Sequence, residues 1–235
     1  MMLRESREKE REEKEKLCDN LADISHQLKT PPLTSMSLMI ELLESSSIRG
    51  DEALYIKNIS SQIYRLNYLV SSLLILSKID ADAMPLEYTS INVYELVCVA
   101  VETLHLMIEK KNQKLFIKGN SNMCFTGDFH WTNEAIVNII KNCSEHAPSG
   151  GEISINYKQN PICTEITIED NGQGFDKKDI PHLFTRFYKG ENSSKDSVGI
   201  GLALANSIIK KQNGEITAVN SDTGGAKFII KFYKN

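Results

Sequence analysis

Apolar residues recur at helical spacing over the first third of the chain. One stripe contains Leu17, Leu21, Ile24 and Leu28, and it resumes after Pro31 and Pro32 at Leu33, Met36, Ile40 and Leu43. A second stripe contains Ile56, Ile59, Ile63, Leu66, Val70 and Leu73. Steps of three and four place side chains on one face of a helix. We therefore predict two long helices joined by a turn at 45–51. Because each helix buries only one stripe, we expect the hairpin to dimerise into a four-helix bundle.

The pattern becomes mixed beyond residues 82–87, where Met84 and Pro85 end the helical region. Short β-like runs occur at Lys114–Lys118, Glu152–Tyr157, Cys163–Glu169, Glu215–Val219 and Lys227–Phe232. Helical segments occur at Val93–Glu109, Trp131–Glu145 and Gly201–Gln212, and Asn92 with Glu95 is a predicted capping pair for the first. The strands are too unevenly connected for an all-parallel doubly wound sheet. We predict an α+β fold, with helices on one face of a mixed sheet as an α/β sandwich.

These patterns divide the chain into three predicted segments. Residues 1–16 carry six basic and six acidic side chains without an apolar stripe, so we expect them to end a helix that begins upstream. Residues 17–83 form the predicted dimerisation domain. Residues 84–235 form the predicted α/β domain.

Composition narrows the class of protein. The sequence is 41% hydrophobic and 25% charged with a formal net charge of −4, which favours a soluble globular protein and gives no reason to expect nucleic-acid binding. No apolar run approaches the roughly 18 residues of a membrane span, and the charged N-terminus is unlike a signal peptide. Five dispersed cysteines without a C-x-x-C pair favour reduced thiols over disulfides or zinc. We therefore expect this region in the cytoplasm.

His26 is the first candidate reactive residue. It lies two residues from both Ile24 and Leu28, so it is predicted to point away from the apolar stripe. An exposed neutral imidazole is a competent nucleophile near neutral pH. Taken alone, however, a helix histidine is more often an ordinary surface residue.

Three further motifs are candidates for binding a metal ion or an anionic ligand. Asn138 and Asn142 are four residues apart on one predicted helix face, and amide oxygens suit Mg²⁺. Asp170–Phe175 (DNGQGF) follows an apolar strand, and its glycines allow the backbone to approach a ligand. Gly199 and Gly201 open a helix, where backbone N–H groups bind phosphates. Each motif alone also fits an ordinary turn or a solvated helix face.

Taken in order, these motifs resemble the conserved boxes of the histidine kinases of two-component systems. The segment around His26 resembles the H box, Asn138–Asn142 the N box, Asp170–Phe175 the G1 box, Phe184–Tyr188 the F box and Val198–Leu204 the G2 box. The resemblance covers residues 17–235. It implies a HisKA-type dimerisation and phosphoacceptor domain followed by a GHKL-type ATP-binding domain.

The resemblance implies a protein-histidine kinase that uses ATP and Mg²⁺ to phosphorylate His26 and then an aspartate of a response regulator receiver domain. It also implies a homodimer and a full-length protein anchored in the cell membrane upstream of this region. The implied catalytic residues are His26, Gln27 and Thr30, of which Thr30 matches a position that aligns water for regulator dephosphorylation. A regulator phosphatase activity is therefore a further expectation.

The resemblance assigns the nucleotide site residue by residue. The implied binding residues are Asn138, Asn142, Asp170, Gly172, Gly174, Arg186, Lys189, Gly199, Gly201 and Leu202. Asn142 matches the Mg²⁺ ligand, and Asp170 matches the residue that accepts a hydrogen bond from the adenine amino group. Arg186 and Lys189 are expected to offset phosphate charge, with surface solvation as the alternative. Residues 175–198 correspond to the ATP lid.

The chain departs from the family pattern close to His26. Gln27 stands where the family usually has an acidic residue, and an amide cannot take a proton, so Asp23 is an alternative candidate for orienting the imidazole. Pro32 is one extra residue, since the apolar step from Leu28 to Leu33 is five. We expect it to kink the helix just after His26. Ala203 and Glu145 also differ from the family pattern, with minor expected consequences.

Three other functions remain open at this point. Gln27 and Pro32 support a nucleotide-binding signalling module without kinase activity. Another ATPase of the same nucleotide-fold superfamily, such as a chaperone or mismatch-repair ATPase, is a second alternative, although the hairpin that carries His26 argues against it. A dimerisation scaffold that binds no nucleotide is the third.

Overall fold

The computed structural model describes residues 34–44, 51–190, 198–222 and 224–234. The chain divides into two compact units, Met1–Met84 and Pro85–Asn235. Each unit is described by itself below. The predicted turn at 45–51 lies almost entirely outside the described residues.

The described part of the first unit consists of two helices, α1 (Thr34–Glu44) and α2 (Asp51–Asp80), which contact each other. Helix α2 agrees with the second apolar stripe. Helix α1 contains Met36, Ile40 and Leu43 of the first stripe, whose earlier residues lie outside the described part of the chain. Ile40, Val70 and Leu76 are buried, whereas Leu38, Leu42, Leu54, Tyr55, Ile59 and Tyr64 are all more than half exposed. The pair therefore leaves much of its apolar surface uncovered within one chain. None of the described helices combines the length and apolarity that a membrane crossing requires.

The second unit is built on a five-stranded mixed sheet. Its strands are β2 (Lys114–Lys118), β4 (Glu152–Gln159), β5 (Cys163–Asp170), β6 (Gly214–Asn220) and β7 (Ala226–Tyr233), in the spatial order β2-β4-β5-β7-β6. Strands β2 and β4 are parallel, and the other neighbours are antiparallel. The mixed sheet confirms the predicted fold class.

Helices cover one face of this sheet. The described helices of this unit are α3 (Val93–Thr103), α4 (His105–Lys110), α5 (Phe129–His146) and α6 (Gly201–Lys211); α5 and α6 contact the sheet, and α3 packs on α5. Alternate residues of the central strands point inward, and Ile155, Ile168 and Phe228 lie side by side in register with no solvent exposure. Alternation with period two gives the sheet one apolar face, and the apolar sides of α5 and α6 pack against it and against each other.

Two short strands escaped the sequence analysis. Strand β1 (Thr89–Asn92) pairs antiparallel with β3 (Cys124–Gly127) in a separate two-stranded sheet. The single predicted helix Val93–Glu109 is in fact two helices, α3 and α4, separated at Leu104, whose φ of −105° and ψ of 6° are not helical. The predicted cap is confirmed, because Asn92 Oδ1 accepts a hydrogen bond from the Glu95 N–H at 3.0 Å.

Asp128 fixes the start of α5, the helix that carries the candidate asparagines. Its Oδ1 accepts a hydrogen bond from the Trp131 N–H at 3.0 Å, and its Oδ2 accepts one from the Glu87 N–H at 2.8 Å. The Asp128 N–H in turn donates to Gln212 Oε1 at 2.7 Å. One buried residue therefore caps α5 and ties it both to the segment before β1 and to the end of α6.

Candidate functional site

Asp170 is the last residue of β5 and is 2% exposed. Its Oδ1 accepts hydrogen bonds from the Gly172 N–H at 2.8 Å and the Ala226 N–H at 3.3 Å. Its Oδ2 is buried and accepts no hydrogen bond from the described residues. One carboxylate oxygen is thus fixed by the backbone, while the other is an unused acceptor suited to an N–H donor on a ligand.

The surroundings of Asp170 shift the pKa of its carboxyl group in opposite directions. Burial raises the pKa of the Asp170 carboxyl, whereas the hydrogen bonds from Gly172 and Ala226, the neighbouring Cys143 thiol and His146 act to lower it. Burial, followed by the negative charge of Asp170, raises the pKa of the fully buried Cys143 thiol well above its usual value. Asp170 therefore lies against α5 in a desolvated pocket where its ionised form gains from a further donor.

Gly225 shapes the pocket from the other side, and the sequence analysis missed it. Its φ is +90°, and a Cβ at this position would overlap the carbonyl oxygen of Asp170. Only glycine combines this backbone conformation with so close an approach. The pair Gly224–Gly225 directly before the predicted strand β7 was the available sequence signal.

The chain after Asp170 is held by Asn220 at the end of β6. Asn220 Oδ1 accepts a hydrogen bond from the Phe175 N–H at 2.7 Å, and Asn220 Nδ2 donates to the Phe175 carbonyl oxygen at 2.9 Å. Gly174 has a φ of +71° and lies directly beside the Asn220 side chain. These contacts join Gly172 and Gly174 to Asp170 as one fixed loop. Like Gly225, Asn220 helps to shape this site although no sequence motif had indicated it.

The two candidate asparagines of α5 have different environments. Asn138 is buried, and its Nδ2 donates to the carbonyl oxygen of Glu134 at 2.8 Å and to Glu134 Oε1 at 3.2 Å. Asn142 Oδ1 is buried and has no hydrogen-bond partner within the described parts of the chain. A buried, unsatisfied amide oxygen fits a Mg²⁺ ligand, since Mg²⁺ binds oxygen atoms and keeps several waters. Asn142 therefore offers a buried oxygen that is left for a ligand, whereas the Asn138 amide group is held by Glu134.

Gly201 and Leu202 are the first residues of α6, as the glycine motif predicted. Ile200 at the N-cap position makes no side-chain capping hydrogen bond. The backbone N–H groups of the first turn are therefore suited to bind an anion. Gly199 has a φ of +75°, and its carbonyl oxygen accepts a hydrogen bond from the Phe187 N–H at 2.8 Å. The described contacts therefore join Gly199 to the F-box segment.

The remaining predicted site residues fall into two groups. Arg186 and Lys189 follow the short 3₁₀ turn Ile180–His182, and both are exposed. His26, Gln27 and Thr30 lie outside the described residues, as do 191–197 of the expected lid. Their assignments stay predictions.

Two sequence models of known families match this chain. The model described as "His Kinase A (phospho-acceptor) domain" matches residues 16–82, and the model described as "Histidine kinase-, DNA gyrase B-, and HSP90-like ATPase" matches residues 127–235. The first match contains His26. The second contains Asn142, Asp170 and the glycine motifs described above.

Curated relatives are sensor proteins. The chain is 31% identical to the sensor histidine kinase YclK of Bacillus subtilis over 216 residues, which cover 90% of this chain and 45% of YclK. It is 29% identical to the sensor protein SphS of Synechococcus elongatus over 217 residues, which cover 88% of this chain and 52% of SphS. The chain thus spans about half the length of these relatives.

Solved structures share the fold. A crystal structure of full-length ShkA in complex with AMPPNP superposes with a TM-score of 0.76 at 18% identity, covering 92% of this chain and 46% of ShkA. The Acinetobacter baumannii histidine kinase AdeS gives a TM-score of 0.67 at 22% identity, covering 89% of this chain and 98% of AdeS. Since the helical segment matches the phosphoacceptor domain, the α/β segment matches the ATPase domain, and the curated relatives that align along both segments are sensor proteins, the chain belongs to the sensor histidine kinases.

Proposed function

We propose that this chain is the catalytic region of a sensor histidine kinase that transfers the γ-phosphoryl group of ATP to His26 and then to an aspartate of a response regulator receiver domain. The observation that carries the proposal is the pair of buried, unused acceptors Asn142 Oδ1 and Asp170 Oδ2 in the α/β unit. A buried acceptor without a donor is costly unless a ligand satisfies it.

The two acceptors fit opposite ends of ATP. Asp170 Oδ2 is suited to the exocyclic amino group of adenine, which is an N–H donor. Asn142 Oδ1 is suited to Mg²⁺, which neutralises phosphate charge when bound. The N-terminal amides of α6, beginning at Gly201 and Leu202, are suited to phosphate oxygens. Asp170 would thus select the base, while Asn142 and α6 would orient the phosphates.

The role of His26 is nucleophilic. Its imidazole nitrogen attacks the γ-phosphorus in line with the departing ADP, which requires positioning and charge neutralisation more than covalent machinery. The resulting phosphoimidazole then gives its phosphoryl group to a carboxylate of the receiver domain. Gln27 cannot accept the imidazole proton, so we propose that Asp23 or solvent takes it.

The decisive experiment is incubation of the chain with Mg²⁺ and γ-labelled ATP. We expect acid-labile label on the wild-type chain and none on His26→Ala. A His26→Ala variant that still shows an ATP-dependent rise in thermal stability would prove that only the acceptor is lost, because a ligand stabilises the fold that binds it.

Other outcomes would identify the alternatives. Thermal stabilisation by ATP without any label on the wild type would indicate a nucleotide-binding module without kinase activity. Gln27 and Pro32 support this hypothesis. Steady ATP hydrolysis unaffected by His26→Ala would indicate an ATPase of another branch. A chain that neither binds ATP nor becomes labelled would be a scaffold.

A regulator phosphatase activity is a separate proposal that depends on Thr30. A hydroxyl at this position is able to align water on a phosphorylated regulator. We expect the wild-type chain to accelerate dephosphorylation of its regulator, and Thr30→Ala to lose this effect while still accepting label at His26. Equal dephosphorylation rates with the two chains would contradict the proposal.

We also propose that the natural protein is longer and is anchored in the membrane upstream of this region, which faces the cytoplasm. The support is that YclK and SphS, both sensor proteins, are about twice the length of this chain. Fractionation of cells that express the natural gene tests this: the protein should sediment with membranes. Recovery in the soluble fraction would contradict the proposal.

A further inference from the structure

The last turn of α5 is held by a lysine that belongs to none of the motifs above. Lys111 Nζ donates hydrogen bonds to the carbonyl oxygens of Ser144 at 2.6 Å, Glu145 at 2.9 Å and Ala147 at 3.3 Å. The final carbonyls of a helix have no intrahelical partners, and a cation at this end also matches the helix dipole. Lys111 is therefore a C-terminal cap of α5, supplied from another part of the chain.

A buried amide completes the same cap. Gln113 Nε2 donates to the carbonyl oxygens of Ser144 at 2.9 Å, Ala147 at 3.2 Å and Pro148 at 3.4 Å, while Gln113 Oε1 accepts a hydrogen bond from Ser144 Oγ at 2.7 Å. Gln113 is 8% exposed and Ser144 is fully buried. Both ends of the amide are satisfied, so the network restricts the turn to one position.

The backbone at the end of α4 directs both side chains to this place. Asn112 has a φ of +50°, its N–H donates to the Glu109 carbonyl, and the Gln113 N–H donates to the Ile108 carbonyl. This is the hydrogen-bond pattern of a Schellman ending, in which the chain turns back across the helix end. The Lys111 carbonyl additionally accepts a hydrogen bond from the N–H of Gly150, in the loop that follows α5.

The capped turn lies against the candidate base-binding loop. A Cβ at Gly172 would be only 2.6 Å from the carbonyl oxygen of His146, the last residue of α5. Asn142 lies one turn earlier on the same helix. The position of this turn consequently determines how Asn142 Oδ1 is placed relative to Asp170 and its loop.

We infer that Lys111 and Gln113 are positioning residues of the nucleotide site, which fix the last turn of α5 so that Asn142 can bind the Mg²⁺ of MgATP. The inference rests on the proposed ATP-dependent function. We assign neither residue a contact with the nucleotide. Both act through the helix that carries Asn142.

The test compares nucleotide affinity with and without Mg²⁺ in the full 235-residue chain. For wild type and Lys111→Met, the dissociation constant of ATP is measured once with Mg²⁺ and once with EDTA. We expect Lys111→Met to reduce the Mg²⁺-dependent gain in affinity by about five-fold or more, the order expected for lost charge-assisted hydrogen bonds. Lys111→Arg keeps a donor cation and should restore most of the gain.

Lys114→Met is the matched control. Lys114 is three residues away, its side chain is 67% exposed, and it forms an ion pair with Glu152 at 3.5 Å. The control should keep the wild-type gain within about two-fold, since an exposed ion pair contributes little.

Three results would overturn the inference. If Lys111→Met lowers thermal stability but keeps the full Mg²⁺-dependent gain, Lys111 is structural only. If Lys111→Met does not fold, the pair Gln113→Leu with Ser144→Ala, which leaves the ammonium in place, takes over the test, and an unchanged gain there has the same meaning. A wild-type chain that binds no ATP overturns the proposed function together with the inference, whereas the first two results overturn the inference alone.

Discussion

At the scale of single residues, Asp170 is a buried carboxyl group with an unused acceptor. We expect its burial to make the free energy of unfolding depend on pH. Because its folded pKa is raised, the folded chain holds more protons on this group than the unfolded chain does. Its contribution to stability is therefore complete below the ordinary carboxyl pKa of 3.8 and is lost as the pH rises through the folded value.

Asp170→Asn removes this titration while keeping an acceptor for the Gly172 and Ala226 amides. We expect the free energy of unfolding of the wild type, relative to Asp170→Asn, to fall as the pH rises from 3.8 toward neutrality. Urea unfolding of both chains over this range measures the difference. A difference that is constant with pH would contradict the expected titration.

Comparing alanine substitutions at two adjacent glycines separates the effect of steric crowding against Asp170 from the effect of backbone strain. Gly224 and Gly225 have φ values of +87° and +90°, but a Cβ at Gly224 meets nothing within 4 Å, whereas one at Gly225 overlaps the Asp170 carbonyl. We expect Gly225→Ala to lower the free energy of unfolding by at least about 1 kcal/mol more than Gly224→Ala, because overpacking adds to the shared strain. Denaturant unfolding checks this, and equal losses would mean that the backbone relaxes.

At the scale of elements, the cap of α3 is accessible to a direct measurement. Asn92 Oδ1 accepts the Glu95 N–H at 3.0 Å, and Asn92 Nδ2 donates to the Ser121 carbonyl at 2.7 Å. Asn92→Ala should lower the free energy of unfolding by about 1 kcal/mol, the usual value for a lost N-cap. Asn92→Asp keeps the capping acceptor and should lose less. Thermal or urea unfolding distinguishes the two, and equal losses would place the effect on the Ser121 contact instead.

The elements also differ in how well the sequence predicts them. Along the five strands of the main sheet, more exposed residues alternate with less exposed ones over five to eight positions, so the period of two can be recognised in the sequence. Strands β1 and β3 have four residues each, and too few alternations occur to reveal a period. The break at Leu104 was missed because no glycine or proline marks it.

The candidate site divides in a similar way. Asp170, Gly172 and Gly174 form a local motif, so one stretch of sequence indicates them. Gly225 and Asn220 reach the same loop from more than 40 residues away, through the pairing of β5, β7 and β6. Such contributions depend on strand order and register, and a single sequence does not contain this information in local form.

At the scale of the whole molecule, the exposed apolar residues of α1 and α2 indicate a surface that a second chain would cover. We propose a homodimer through this unit. Light scattering should give twice the chain mass of 26.5 kDa. Ile59 is 53% exposed and lies on the second apolar stripe, so we expect it in the dimer interface. Ile59→Glu should shift the mass toward one chain, because a charge is costly to bury.

Ser61→Glu is the control for the dimer. Ser61 is exposed, lies two positions further along α2 and off the second apolar stripe, and its Oγ donates to the Asn58 carbonyl. The same added charge there should leave the mass at two chains. A dimer unaffected by Ile59→Glu would place the interface elsewhere.

The place of β7 in the sheet has a consequence for the order of events during synthesis. Strand β7 (Ala226–Tyr233) lies between β5 and β6, and its first residue donates to Asp170 across 56 positions of sequence. A nascent chain therefore contains His26 long before it contains a complete base pocket. We therefore expect a chain that stops before Ala226 to lack the ATP binding that the proposed function requires, even though it already contains His26.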